Sequence, residues 1–238
     1  MAFTWRGLRI ELLDVVALAW FLALWLGYAR FAHVRGHRVA SLMSVMGKYR
    51  QEWWMRIIER ELRMIDTSIV ANLANSATFF ASTTLLILGG LLALLGTTEK
   101  VVEVVKGLPF NARATTSQMW ELKIMLLLAI FVYAFFKFTW SLRQFNFTSV
   151  LIGAAPKVPE RAEQELDYIH RAATLSSSAS DSFNYGLRAY YFGLAALAWF
   201  LNAWLFIAAT TWIVGVLYWR EFRSETLKVL DRATQQHK

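Results

Sequence analysis

The chain has 238 residues, of which 57% are hydrophobic, 15% aromatic and only 18% charged. This composition is typical of a polytopic membrane protein and is more apolar than most soluble domains. The sequence contains no cysteine, which excludes disulfides, thiolate metal sites and cysteine nucleophiles. The net charge of +8 comes from basic residues that border apolar segments, so it favours membrane lipids with anionic headgroups as partners and argues against nucleic acid.

Four apolar segments are each long enough to cross a bilayer, which takes about 20 helical residues. They cover residues 12–31, 69–95, 122–142 and 189–219. We therefore predict an all-α polytopic membrane protein with four transmembrane helices, forming a single membrane domain. The fourth segment is longer than one crossing requires, so we expect it to tilt or to project beyond the bilayer.

The connection after the first span is predicted to contain a long extramembrane helix at about residues 48–68. Trp54, Ile58 and Leu62 recur there at the spacing of one helix face. No glycine or proline interrupts residues 48–84, so we expect this helix and the second span to be continuous.

The connection after the third span is predicted to form a second extramembrane helix, at about residues 160–188, on the same side of the membrane. We expect it to begin after Pro156 and Pro159 and to continue without a break into the fourth span. The short connection after the second span carries valines on one face of residues 99–108, which predicts a helix lying at the membrane interface.

Loop charges predict the topology. By the positive-inside rule, a basic first loop belongs in the cytoplasm, which with four spans puts both termini outside. The tail after the fourth span is also basic and argues against that assignment. The first-loop residues are Arg35, Arg38, Lys48, Arg50, Arg56, Arg60 and Arg63, and those of the tail are Arg220, Arg223, Lys228 and Arg232.

The second span carries a seam of small and polar residues at seven-residue intervals, which predicts one face held against a partner. In a bilayer, small residues allow close helix approach and polar ones supply interhelical hydrogen bonds. The seam either locks helices together, within or between subunits, or lines a pore in a homo-oligomer. The candidate residues are Asn72, Asn75, Ser76, Phe79, Ser82, Thr83, Gly89 and Gly90.

Basic residues outside the seam suggest anion attraction. Arg56, Arg60 and Arg63 would gather anions at the mouth of such a pore. Lys137 and Arg143 lie on one polar strip of the third span, where they either reach lipid headgroups or line an anion path.

Catalytic and metal-binding motifs are absent from the sequence, so we predict neither an enzyme nor a cofactor. Asp167 and His170 form a single D-x-x-H, whereas a carboxylate-bridged metal site needs further units from facing helices. His33 and His37 are separated by Gly36, which predicts a loop and argues against a metal-binding pair. We therefore predict no metal site.

Four stretches of the sequence resemble a family of bacterial and plant four-span membrane proteins of unknown function. The resemblance covers about residues 14–227 and implies the four-span architecture without implying an activity. The stretches are SATFFASTTLLILGG at 76–90, FFKFTWSLRQFN at 135–146, SVLIGAAP at 149–156 and GLRAYYF at 186–192.

Two functions are compatible with these features. The first is a homo-oligomeric channel or transporter-like pore of the bacterial inner (plasma) membrane, lined by the second span and expected to pass anions. The second is a non-transporting scaffold that binds anionic lipid headgroups or a protein partner through its basic cytoplasmic helices. Ion flux through liposomes that contain the purified protein distinguishes them.

Overall fold

A computed structural model describes residues 2–5, 8–36, 39–98, 116–156 and 162–236. After a short antiparallel hairpin, Ala2–Trp5 with Leu8–Glu11, every regular element of these residues is helical. The helices are α1 Leu12–Gly36, α2 Leu42–Glu59, α3 Met64–Gly96, α4 Ser117–Ala154, α5 Ala162–Leu197, α6 Ala203–Phe222 and α7 Glu225–Gln236, with a 3₁₀ turn at Ala198–Phe200.

Four helical stretches are long and apolar enough to cross a membrane, which confirms the predicted all-α polytopic fold. They are Leu12–Gly36, Met64–Gly96, Ser117–Ala154 and Ala203–Asp231. Each begins or ends beyond the segment that the sequence predicts, because polar residues extend the helices past their apolar cores. The predicted interfacial helix at 99–108 lies outside the described residues.

The chain divides into two compact units. Unit 1 is drawn from Met1–His33, Thr84–Ala134 and Arg188–Tyr218, and unit 2 from Val34–Thr83, Phe135–Leu187 and Trp219–Lys238. Helices α3, α4 and α5 each contribute residues to both units without a break.

In unit 1, helices α1 and α6 run in the same direction. Successive contacts join Phe21 to Phe206, with ring centroids 5.1 Å apart, and Phe31 to Tyr218, at 6.2 Å. The Trp20 indole also donates a 3.1 Å hydrogen bond to the Thr211 hydroxyl. From the first ring pair to the second, the residue numbers increase along both helices, so α1 and α6 are parallel.

Helix α5 runs against α1 in the same unit. The Arg188 guanidinium lies 5.5 Å from the Tyr28 ring, the Phe192 ring packs 5.7 Å from Phe21, and the Trp199 indole bonds Asp14 near the start of α1. Because α1 and α6 are parallel and α5 is antiparallel to α1, the chain reverses direction between α5 and α6. This helix is too polar to be found by apolarity alone.

The core of unit 2 lies where α2 packs on α5. Trp54 and Ile57 are fully buried there with Ala172, and the Trp54 indole donates a 3.1 Å hydrogen bond to Ser176. Helix α2 begins with a capping box, in which Ser41 and Ser44 bond each other's backbone N–H. Trp54 and Ile58 of the predicted apolar stripe therefore lie on the buried face of α2, whereas Leu62, beyond the end of this helix, is 79% exposed.

The continuous helix predicted over residues 48–84 is wrong, because the chain bends between Glu59 and Met64. Arg60 is extended, with φ −87° and ψ 134°. Tertiary hydrogen bonds from the bend stabilise it where no glycine or proline is present. The unbroken segment predicted over 189–219 is wrong as well, since α5 ends at Leu197 and α6 begins at Ala203.

The break between α5 and α6 is a capped turn. The Asn202 side chain accepts a 2.9 Å hydrogen bond from the Trp204 backbone N–H at the start of α6. This is the usual role of asparagine at a helix N-terminus.

The tail packs against the first connection in unit 2. The Tyr49 hydroxyl of α2 donates a 3.1 Å hydrogen bond to the Leu230 carbonyl of α7. Lys48 and Lys228 therefore lie on neighbouring helices, whereas the placement of both termini on one side of the membrane stays a prediction.

Candidate functional site

The predicted seam lies on the side of α3 opposite its buried face. Val70, Ala77, Ala81, Thr84 and Leu91 form the buried face of this helix. The seam residues are on the opposite face and are exposed, apart from Thr83, which is half-buried. The exposed ones are Asn72, Asn75, Ser76, Phe79, Ser82, Gly89 and Gly90.

The two glycines of the seam have no close neighbour among the described residues. A Cβ atom built on Gly89 or Gly90 would meet no atom within 4 Å. These glycines therefore do not serve the close approach of another described helix of the same chain.

Hydrogen bonding along the seam is only partly satisfied. The hydroxyls of Ser76 and Thr83 donate to the carbonyls of Asn72 and Phe79, one turn earlier, at 3.1 Å and 2.9 Å. In the part of the chain that the structure describes, the Asn72 and Asn75 carboxamides bond no other residue. An amide left unsatisfied in hydrocarbon costs several kcal/mol, so these side chains require water or a protein partner.

Phe79 of the seam and its neighbour Phe80 have different environments. Phe79 is 65% exposed and lies within the seam. Phe80 points into unit 2, where its ring stacks on Phe138 at 5.3 Å and meets Phe183 edge-on at 5.6 Å. Only Phe79 is placed to narrow a passage along the seam.

Arg60 is held in the bend between α2 and α3. Its guanidinium forms a 2.8 Å ion pair with Asp66, whose side chain is fully buried. The same carboxylate oxygen accepts a 2.8 Å hydrogen bond from the Trp53 indole. Asp66 lies in the first turn of α3, where the helix dipole favours a negative charge, and its charge offsets that of Arg60.

Arg63 joins three helices at the same bend. Its guanidinium donates to the carbonyls of Ala155 at 2.6 Å and Pro156 at 2.9 Å, just beyond the C-terminus of α4, and to Ile57 near the end of α2 at 3.2 Å. These donors are therefore not available to a passing anion. Of the three arginines predicted at a pore mouth, Arg63 is therefore bound to these carbonyls, and the charge of Arg60 is offset by that of Asp66.

The remaining predicted cations lie apart from the seam. Arg56 is exposed on α2. On α4, the Lys137 ammonium lies 5.3 Å from the Tyr185 ring, and the exposed Arg143 guanidinium lies 5.5 Å from the ring of Phe147. The structure thus does not bring the five predicted basic residues together around one opening.

Two charged residues, Arg50 and Lys123, are more enclosed than their positions in the sequence indicate. In unit 2, burial lowers the pKa of the Arg50 guanidinium, while the nearby Asp181 carboxylate raises it. In unit 1, Lys123 is buried near the start of α4, within reach of the charge of Asp14. A charged residue inside or beside an apolar segment is the signal that could have identified both, but burial itself depends on which helices surround it.

Within the described ranges, no group of three or more histidine, aspartate or glutamate side chains could hold a metal ion. Asp167 forms a 3.0 Å ion pair with Arg171 one turn later on α5. His37 is outside the described residues, and α1 continues through the Gly36 position where a loop was predicted.

The fold and the exposed seam define an all-α, multi-pass integral membrane protein with four apolar candidate spans. Residues 16–226 match the family described as "Protein of unknown function, DUF599", so the chain belongs to that family. This confirms the family resemblance predicted from the four sequence stretches. No curated protein and no solved structure is detectably similar to the chain.

Proposed function

We propose that the protein is a homo-oligomeric pore of the bacterial inner membrane, a channel or transporter-like protein in which copies of α3 meet along the seam. The observation that carries this proposal is the outward position of Asn72 and Asn75 on an apolar helix. Facing lipid, both carboxamides would be unsatisfied, whereas around an axis they would contact water or a neighbouring α3.

The seam also has the order of groups that a gated passage requires. Polar positions at Asn75 and Ser82 alternate with the apolar ring of Phe79. Polar rings replace part of an ion's hydration, and an apolar collar between them closes a narrow passage by excluding water. Since Arg60 and Arg63 are bound within the subunit, the proposed preference for anions depends on Arg56 alone among the first-loop arginines considered.

The experiment is ion flux into liposomes that contain the purified protein. We expect wild-type protein to conduct and Asn75→Leu to reduce the flux on the order of tenfold, equivalent to about 1.4 kcal/mol or one lost hydrogen bond. Phe79→Ala should raise the flux of the closed state by removing the apolar collar. Thr78→Leu is the matched control, because this exposed hydroxyl lies beside the seam and already bonds the Ala74 carbonyl.

Assembly is measured separately by disulfide cross-linking in membranes, which the cysteine-free chain makes possible. Ser82→Cys should give a covalent dimer under mild oxidation. Ala81→Cys, the adjacent residue on the buried face, should not. Absent flux with normal Ser82→Cys cross-linking would reject the pore and retain the oligomer, and loss of both would show that the seam faces lipid.

The scaffold function remains a second candidate because of the surface formed by α2 and α7. These helices pack together in unit 2 through the Tyr49 hydroxyl and the Leu230 carbonyl. They leave Lys48, Arg56 and Lys228 exposed. Such a surface attracts anionic headgroups at about 1 kcal/mol per basic residue, so a scaffold would bind anionic vesicles without passing ions.

A further inference from the structure

A buried lysine near the start of α4 lacks the hydrogen-bond acceptors that an ammonium requires. Lys123 is 7% exposed, and its Nζ atom lies 5.5 Å from the centroid of the Trp199 ring and 6.0 Å from that of Phe200. Both rings belong to the 3₁₀ turn that follows α5 in unit 1. Among the residues described, no oxygen accepts a hydrogen bond from this ammonium.

A second donor on the same face of α4 is also unsatisfied. The Trp120 Nε1 atom is buried and bonds no acceptor in the described ranges of the chain. Its ring meets the Phe200 ring edge-on, with centroids 4.8 Å apart. Trp120 and Lys123 are three residues apart on one helix, so their side chains are neighbours.

The carboxylate of Asp14 does not supply the missing acceptor. Its Oδ1 atom accepts a 2.8 Å hydrogen bond from the Trp199 indole, which fixes the ring under the ammonium. Its charge acts on Lys123 through space. The buried Trp120 N–H is unpaired and the Lys123 ammonium contacts only aromatic rings among the described residues, so we expect an acceptor from outside them.

The surroundings indicate what kind of molecule carries that acceptor. Leu201 and Trp204, which follow the same turn, are 74% and 64% exposed and offer an apolar aromatic surface beside the charged group. Tryptophan at the end of a span is typical of the headgroup level of a bilayer. A phosphate oxygen is the acceptor abundant at that level, and it matches both an ammonium and an indole donor.

We propose that Lys123 Nζ and Trp120 Nε1 bind one phosphate group at the Trp199–Phe200 turn, carried either by a phospholipid headgroup or by a free anion. The site is separate from the α3 seam and does not depend on the proposed pore. Asp14 acts as a positioning residue by holding the Trp199 ring.

The experiment titrates the full-length protein, delipidated in maltoside, while the indole N–H signal of Trp120 is followed by NMR. Trp120→Phe assigns the signal. Dihexanoyl phosphatidylglycerol below its micellar concentration should move it downfield in a saturable manner, as a hydrogen bond forms. Inorganic phosphate in a parallel titration identifies the source: an equal response shows a free-anion site, and a response to the lipid alone shows a headgroup site.

The variant that tests the ammonium is Lys123→Gln, which should raise the half-saturating concentration about tenfold, the usual loss for one charged hydrogen bond. Lys123→Arg should retain most of the affinity, which separates lost charge from misfolding. Arg171→Gln, at an exposed arginine of unit 2, should leave the titration unchanged. The proposal is overturned if neither phosphate compound moves the signal, if octyl glucoside moves it equally, or if Lys123→Gln binds like wild type.

Discussion

At the scale of single residues, two polar side chains complete the hydrogen bonding at the end of α4. Helix α4 leaves its last carbonyls without intrahelical donors. Arg63 donates to Ala155 and Pro156, and the Tyr168 hydroxyl donates to the Leu151 carbonyl at 2.5 Å. A cation at a helix C-terminus is also favoured by the helix dipole. The α2–α3 bend is therefore attached to the end of α4 by Arg63.

Replacing Arg63 by alanine should destabilise the protein more than the same substitution at any other arginine of the first loop. It removes several charged hydrogen bonds and leaves carbonyls unpaired, at a cost of about 3 kcal/mol. For a chain of this size that corresponds to a fall in the apparent melting temperature of about 6–12 °C, measured by tryptophan fluorescence in detergent.

The control for this prediction is Arg56→Ala, an exposed arginine on the preceding helix that should change the melting temperature by no more than about 2 °C. Arg63→Lys should lie between alanine and wild type, because an ammonium keeps the charge but cannot bond three separated carbonyls with a planar fork. Equal melting temperatures for Arg63→Ala and Arg56→Ala would show that the bend does not depend on Arg63.

At the scale of elements, α4 and α5 pack closely enough that only glycine fits at one position. A Cβ atom on Gly186 would lie 2.6 Å from Cε1 of Phe138. The Phe138 ring is fully buried and is enclosed by the rings of Phe80 and Phe183, at 5.3 Å and 5.5 Å, so it cannot swing aside. Gly186 of α5 thus serves packing within the subunit, while Gly89 and Gly90 in the seam of α3 are exposed.

Gly186→Ala should therefore lower stability, although alanine is the better helix former by about 1 kcal/mol. Overpacking in a filled core costs about 1–3 kcal/mol, so we expect a net loss of about 1 kcal/mol, seen as a lower melting temperature. The matched control is Gly153→Ala on α4, where a Cβ would meet nothing within 4 Å and stability should rise slightly. If adding Phe138→Leu does not relieve the effect of Gly186→Ala, the contact is not its cause.

At the scale of the whole molecule, the topology depends on the direction of the last apolar helix. Within unit 1, α6 is parallel to α1, and α5, which runs against α1 there, is not among the four candidate spans. The interior of a helical membrane protein tolerates polar residues when they bond other helices. Ser141 of α4, for example, donates a 2.7 Å hydrogen bond to the Ala179 carbonyl of α5.

Single cysteines introduced into the cysteine-free chain test this topology in sealed vesicles with a membrane-impermeant maleimide. Lys48→Cys and Lys228→Cys should react from the same side, because α2 and α7 pack together. Asn202→Cys, exposed in the turn before α6, should react from the opposite side. An unreactive Asn202→Cys would instead support one continuous span over residues 189–219.

The sequence by itself determined the membrane character, the all-helical fold, the family and the presence of the α3 seam. These properties depend on runs of apolar residues and on helical periodicity, which are local and survive any arrangement of the helices. The buried apolar face of α2 was predictable for the same reason.

The tertiary structure decided the features that depend on contacts between side chains distant in the sequence. It assigned Arg60 and Arg63 to hydrogen bonds at the bend, divided the last apolar segment at Asn202 and turned the seam of α3 outward. Helix breaks without glycine or proline, and the partners of buried charges, are fixed by contacts between residues far apart in the chain. No local pattern encodes such contacts, because their free energy exists only once the helices are packed.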